Sequence, residues 1–416
     1  MTQHLDSATM PEFFGKRFNS RALKLGASVI VFVFLIPYTA SLYNGLSRLF
    51  AMAFHIDYSV CVIVMAALTG VYVIAGGYMA TAINDFIQGI IMIGGIIAVV
   101  AAVLKSQGGF MAAVEALANV NDAAVSTAPG AFTSFFGPDP LGLLGVVLLT
   151  SLGTWGLPQM VQKFYAIKNE QAIGKGAIIS TLFAAIVAGG CYFLGGFGRL
   201  FSSQVDIAKD GYDAIIPTML SGLSPILIAI VVILVLSASM STLSSLVLTS
   251  SSTLTLDFIK DIILPDMDEK KQIRLIRGLI VVFIAISVVI ALVQYNSGVA
   301  FIAQLMGISW GALAGAFLAP FLFSLYWKRT TKAACAVNFV FSTVVMLANI
   351  FFRAHFPAVL QSPINAGAFC MLAGLVIVPL VSLMTKAPKS QQVEKCFSCF
   401  AKIAEDEKKD LVSENN

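Results

Sequence analysis

The chain is predicted to be an all-α membrane protein, and three observations carry that reading. Of 416 residues, 58% are hydrophobic and only 12% are charged, and the mean hydropathy is +0.88. That is too apolar for a soluble globular domain. The apolar runs are about 20 residues or longer, the length of a helix that crosses about 30 Å of hydrocarbon. Segments that alternate polar and apolar residues, as barrel strands do, are absent from the sequence.

Ten spans are expected, at 26–50, 58–78, 84–104, 139–161, 174–198, 222–256, 274–294, 298–326, 333–352 and 366–385. Each is a long apolar run bounded by charged or turn-forming residues. If residues 1–25 are cytoplasmic, 21 of the 26 Lys and Arg fall on the cytoplasmic side. The other five are Arg48, Lys105, Arg199, Lys209 and Arg353. This bias satisfies the positive-inside rule and places both termini in the cytoplasm, as an even number of spans requires.

Three regions follow: a cytoplasmic loop over 1–25, a transmembrane domain over 26–386 and a cytoplasmic tail over 387–416. Residues 1–25 lack an apolar h-region and do not resemble a secretory signal. The tail has the composition of a mobile, solvated segment, notably Glu405-Asp406-Glu407-Lys408-Lys409-Asp410. Its Cys396-Phe-Ser-Cys399 is a lone CxxC without a second pair or nearby His, so it reads neither as a zinc site nor as a redox centre. The net charge of +4 is dispersed over loops and points to no nucleic-acid partner.

Four segments stand out against the apolar background. The first is the stretch 237–245, which puts six hydroxyl side chains inside a long apolar run, where each needs a hydrogen-bond partner or an ion. At helical spacing Ser241, Ser244 and Ser245 share a face, with Thr242 beside it and the carbonyl of Ala238 one turn earlier. Oxygen-only ligands of this kind suit a small hard cation such as sodium. The alternative is ordinary: membrane-helix Ser and Thr also bond back to carbonyls and permit close packing.

The second is Gly76-Gly77 to Asp85 and Gln88, where a glycine pair interrupts one span and an acid opens the next. Asp85 either caps a helix or serves a functional site, since an unused carboxylate at the membrane edge is costly. The third is Gly153-Thr154-Trp155-Gly156-Leu157-Pro158-Gln159, where two glycines and a proline free backbone groups late in a span. Such a break lines a substrate site in transporters, or is simply a proline kink. The fourth, Gly307, Gly311 and Gly315, reads as a small-residue packing ridge, with Trp310 beside it facing lipid.

In this order, and with Thr9-Met10-Pro11-Glu12-Phe13-Phe14-Gly15-Lys16-Arg17-Phe18 at the start, the segments resemble the sodium:solute symporter family across nearly all of residues 8–385. The resemblance implies a leucine-transporter-like core of two inverted five-helix repeats. It also implies a common sodium site at the carbonyl of Ala238 and the hydroxyls of Ser241 and Thr242, and a second at Ser241, Ser244, Ser245 and Asp85. Thr150, Thr154, Trp155, Gly156 and Pro158 fall where the family binds substrate.

Thr150 and Thr154 stand where the proline carriers have aromatic residues, whereas Gly156-Leu157-Pro158 and Asn84-Asp85 look more like pantothenate and monocarboxylate carriers. The implied function is sodium-coupled uptake of a small organic solute, with Na+ as coupling ion and no other cofactor. A carboxylate is the expected solute; a proline or sugar symporter, or a non-transporting remnant serving as a sensor or partner subunit, is the alternative. Measured against the family, the chain begins in the loop after the third helix, so a full transporter would need three further helices, encoded upstream or supplied as a separate partner. His-rich motifs and a nucleophile–base pair are missing from the sequence, which argues against an enzyme.

Overall fold

The computed structural model describes residues 1–2, 4–122, 125–165, 170–297 and 302–400, apart from the side chains at 76–82, 164, 165, 170, 171, 208, 209 and 297. The acidic end of the tail and the Gly76-Gly77 pair lie outside the described set. Within it the protein is helical, with one isolated bridge between Asp122 and Ser126 and no strand.

Fifteen helices follow in order: α1 Met10–Phe18, α2 Arg21–Phe54, α3 Tyr58–Ser106, α4 Phe110–Ala118, α5 Pro140–Ser151, α6 Pro158–Tyr165, α7 Glu170–Gly196 and α8 Ile207–Asp210. They continue with α9 Ile215–Ser221, α10 Pro225–Thr253, α11 Lys260–Ile262, α12 Glu269–Ser297, α13 Ile302–Tyr326, α14 Lys332–Phe351 and α15 Pro363–Met384. Among the described residues nine segments are long and apolar enough to cross a membrane. They match nine of the ten expected spans.

The tenth, 139–161, is built differently from the other nine. It is interrupted as its glycines and proline suggest, into α5, a 3₁₀ turn over Gly153–Gly156 and α6. Leu157 between them is extended (φ −86°, ψ 119°), and Pro158 has no amide to continue a ladder. The break occurs where the glycines and proline loosen the chain.

α3 contains two spans, Tyr58–Ala75 and Ile83–Ser106. The amide of Asn84 donates to the hydroxyl of Tyr72 at 2.9 Å. In a straight helix those residues would be about 18 Å apart along the axis, so the two spans are not collinear.

α13 forms the centre of the bundle: 72% of its apolar window is buried, against 6% for the span that contains α7. Its Gly311 meets Gly367 of α15 backbone to backbone, and a Cβ at Gly311 would fall 2.7 Å from the Gly367 Cα. The glycine ridge is a packing surface, as its spacing suggests. Trp310 corrects the expectation of a lipid-facing ring: it is buried, edge-on to Tyr38 of α2 at 5.7 Å.

α1 is wedged under the bundle. Phe14 lies 5.9 Å from Phe317 of α13 and 5.2 Å from Phe339 of α14, ring to ring. Thr9 caps α1 by accepting from the Glu12 amide.

The tail is also corrected at its start, because residues 390–400 are helical and pack on α1. Cys396 is fully buried, and the Gln392 amide donates to the Lys16 carbonyl at 2.9 Å. The buried Arg17 guanidinium stacks on Phe18 and on Phe397, each at 5.0 Å. Its Nε donates to the Ser324 carbonyl at 3.1 Å, while Nη1 and Nη2 have no partner. Burial lowers the Arg17 pKa below its ordinary value.

Candidate ion and solute site

α10 carries the hydroxyl-rich stretch in the middle of its 29 residues. Thr242 donates to the Ala238 carbonyl and Ser244 to the Ser241 carbonyl, each at 3.0 Å. Such back-bonding satisfies a hydroxyl proton and leaves its oxygen lone pairs free to accept or ligate. Among the described residues no comparable bond is drawn from the hydroxyls of Ser241 or Ser245. Ser244 is buried, and Ser241, Thr242 and Ser245 are partly so.

One turn beyond Ser245 on the same face, Thr249 donates to Gln162 of α6 at 2.9 Å. The next residue of α6, Lys163, approaches Asp85 of α3 with Nζ to Oδ2 at 3.6 Å. α6 is therefore in contact with α10 at Thr249 and with α3 at Asp85. Asp85 lies near the start of the second span of α3, Ile83–Ser106.

Several buried polar atoms here lack protein partners: Asp85 Oδ1, Gln88 Oε1 and both amide atoms of Gln159. On α10, the hydroxyls of Ser250, Ser251 and Thr253 are likewise buried and unpartnered. Unmet acceptors at this density are costly in apolar surroundings unless water, solute or an ion meets them. Among the described residues no three His, Cys, Asp or Glu side chains cluster as metal ligands. Hydroxyls, the Ala238 carbonyl and the orphaned Asp85 oxygen are donors that fit sodium.

The candidate solute residues lie at the break. Gly156 packs against the α13 backbone, where a Cβ would meet the Leu318 nitrogen at 2.8 Å. Pro158 is buried, Thr150 and Thr154 are partly buried, and Trp155 is 62% exposed. Thr150 and Thr154 bond to the Val146 and Ser151 carbonyls at 2.7 and 2.9 Å. The structure thus places this set on one segment, with Gln159, Gln162 and Lys163 continuing it toward the ion residues. Sequence reasoning missed those last two; polar residues placed directly after a helix-breaking proline are the available signal.

Two polar networks frame the bundle. At the α1 end, Thr9 donates to Asp257 at 2.5 Å, and Lys24 pairs with Asp257 at 3.4 Å and Asp261 at 2.9 Å. Asp257 lies in a π-helical stretch, Leu254–Ile259, that continues α10. At the other end, Asp213 accepts from the Ile302 amide at 3.1 Å and from Asn44 at 3.4 Å. Burial raises the Asp213 pKa, against opposing effects of the Ile302 hydrogen bond and Arg48.

Comparison with known proteins places this arrangement. The model of the sodium:solute symporter family matches residues 2–338. The osmoregulated proline transporter OpuE of Bacillus subtilis is 26% identical over 92% of this chain and 75% of its own length. A sodium/proline symporter of Haemophilus influenzae is 31% identical over 82% of this chain and 68% of its own. One from Staphylococcus aureus is 29% identical, over 82% and 66%.

A Na+-coupled sialic acid symporter, solved substrate-bound and outward-open, superposes with a TM-score of 0.70 over 93% of this chain and 79% of its own, at 16% identity. That likeness shows a shared, leucine-transporter-like fold. Family and relatives are transporters rather than enzymes, with Na+ as the coupling ion and no other cofactor indicated. From its hydroxyl-rich α10 to its broken α5–α6 segment, the chain belongs to the sodium:solute symporter family.

Proposed function

We propose that the protein is a Na+-coupled symporter that takes up a small organic solute by alternating access. The observation that carries this reading is the link from Thr249 through Gln162 and Lys163 to Asp85, which ties the α10 hydroxyl face to the broken helix. Sodium would be held by the Ala238 carbonyl with Ser241 and Thr242, and a second ion by Ser241, Ser244, Ser245 and Asp85. The ion neutralises Asp85 and orders α3, α6 and α10 together, so it favours the conformation in which the solute segment is assembled. Thr150, Thr154, Trp155, Gly156 and Pro158 contribute to the solute pocket.

For the solute we favour proline or a close relative over pantothenate or a monocarboxylate, because the relatives above are proline transporters. Thr150 and Thr154 accommodate its polar groups, and free backbone groups at the break meet its carboxylate and ammonium. The protein sits in the plasma membrane with the α1 end and both termini cytoplasmic, a reading supported by the 21-to-5 division of basic residues.

The test is uptake of labelled proline, pantothenate and lactate into proteoliposomes under an inward sodium or potassium gradient. Proline uptake that requires sodium and is abolished by Ser241→Ala or Thr242→Ala, with normal membrane insertion, is the expected result. Sodium dependence unaltered in both variants would remove the ion assignment. Preferential lactate or pantothenate uptake would overturn the proline reading alone.

A further inference from the structure

At the α1 end, away from the ion residues, a cavity of about 380 Å³ opens between the end of α13 and the start of the tail helix over 390–400. Lys328, Arg329, Pro388, Ser390, Val393 and Glu394 line it. We propose that it binds the headgroup of a membrane phospholipid, with the phosphodiester on Arg329 and Lys328 and a primary ammonium on Glu394.

The phosphate end rests on two observations. Arg329 anchors one side of its guanidinium by donating from Nη2 to the carbonyls of Thr385, at 2.7 Å, and Leu383, at 3.4 Å. Its Nη1 is buried and has no partner. Nη1 is covered where it stands, so a small turn of the guanidinium toward the cavity is what brings its unmet N–H groups to an oxyanion. Lys328 is exposed, and among the described residues its ammonium meets the Phe397 ring at 5.7 Å, a weak contact from which it can turn onto the same anion.

The ammonium end follows from charge. A cavity built only for an anion gains nothing from a carboxylate in its wall, yet Glu394 lines this one. Its Oε1 accepts from Ser390 at 2.8 Å, which orients the group and leaves further acceptor positions. Two cations and one carboxylate match a zwitterion with a donor-bearing end. Choline, which has no N–H, would leave Glu394 unmet.

Location selects lipid over a soluble phosphate ester. The lining residues follow the ends of two membrane spans, Ile302–Tyr326 and Pro363–Met384. The terminal side chains there are apolar or aromatic and exposed: Tyr326 by 71%, Leu383 by 62% and Met384 by 85%. An acyl chain beside these residues places its own headgroup at the cavity mouth.

The experiment is native mass spectrometry of the full chain in detergent, with phosphatidylethanolamine or phosphatidylcholine added at matched acyl composition. Phosphatidylethanolamine adducts are expected to survive activation at least fivefold more often than phosphatidylcholine adducts. Lys328→Gln should lower their occupancy several-fold, and Glu394→Gln should erase the preference between the two lipids. Arg329→Gln should do most damage; if it fails to fold, the Lys328 and Glu394 variants still decide. Equal retention of both lipids, or a preference unchanged in both variants, overturns the proposal. Soluble phosphoethanolamine that displaces the lipid at micromolar concentration overturns the lipid source. None of these readouts depends on transport.

Discussion

Lys163 Nζ stands 3.6 Å from Asp85 Oδ2, so the carboxylate expected to serve sodium already faces a cation of the protein itself. Half of the Lys163 side chain is exposed, and Asp85 is 23% exposed. Screening holds such a pair to about 1 kcal/mol, or about fivefold in an equilibrium constant. Lys163→Gln should therefore lower the sodium concentration for half-maximal uptake about fivefold. Asp85→Asn should raise it at least as much, and sodium titration of uptake in both variants reads the two directions.

The Thr9–Asp257–Lys24 network is far better shielded, with the Asp257 side chain only 2% exposed. Removing the cation leaves a buried carboxylate, and Lys24→Met should cost about 3 kcal/mol. Thr9→Val removes one hydrogen bond to a charged group and should cost about 2 kcal/mol. Thermal unfolding in detergent should rank wild type above Thr9→Val, and Thr9→Val above Lys24→Met.

Asp213 gives a pH dependence of definite sign. Its pKa in the folded protein is raised above the ordinary 3.8, chiefly by burial. A raised carboxylate pKa means that the folded state binds the proton more tightly than the unfolded state. The resulting stabilisation is complete below pH 3.8 and is lost as pH rises through the folded value. Asp213→Asn should flatten that part of the stability profile, measured by unfolding from pH 3.5 to about 6.

Backbone contact between Gly311 and Gly367 leaves no room for a side chain. Gly311→Val should cost about 3 kcal/mol or more, because the two helices must separate along their length. Gly278→Ala, where nothing lies within 4 Å of the added carbon, is the neutral control. Monodispersity after mild heating separates the two.

Most of the scaffold was legible because apolar length alone specifies a span, and nine runs behave that way. The run at 139–161 needed a second signal, because hydropathy registers Leu and Val, whereas the break was legible only from Gly153, Gly156 and Pro158. Gly311 was readable since small residues at helical spacing have one common use. Trp310 was not, because whether a ring faces lipid or Tyr38 depends on which helix lies alongside.

At the site, the hydroxyls of α10 announced themselves by being out of place in an apolar run. Lys163 and Gln162 did not, since a polar residue near a span end is unremarked until its partner is known. The tail misled for a related reason. Its overall composition is that of a solvated segment, whereas Cys396 and Phe397 carry apolar surface that meets α1.

The interruption between Ser151 and Pro158 bears on how recognition here can be mapped. Where a helix stops inside a membrane, its exposed amides and carbonyls become the reading groups, and every amino acid carries the same ones. Side-chain scanning tests Thr154 and Trp155 but leaves the main-chain groups of Gly153 to Leu157 untouched, so it would miss whatever share of the proposed solute contact runs through them. Amide-to-ester exchange along those five residues, which deletes single main-chain donors, would reveal them.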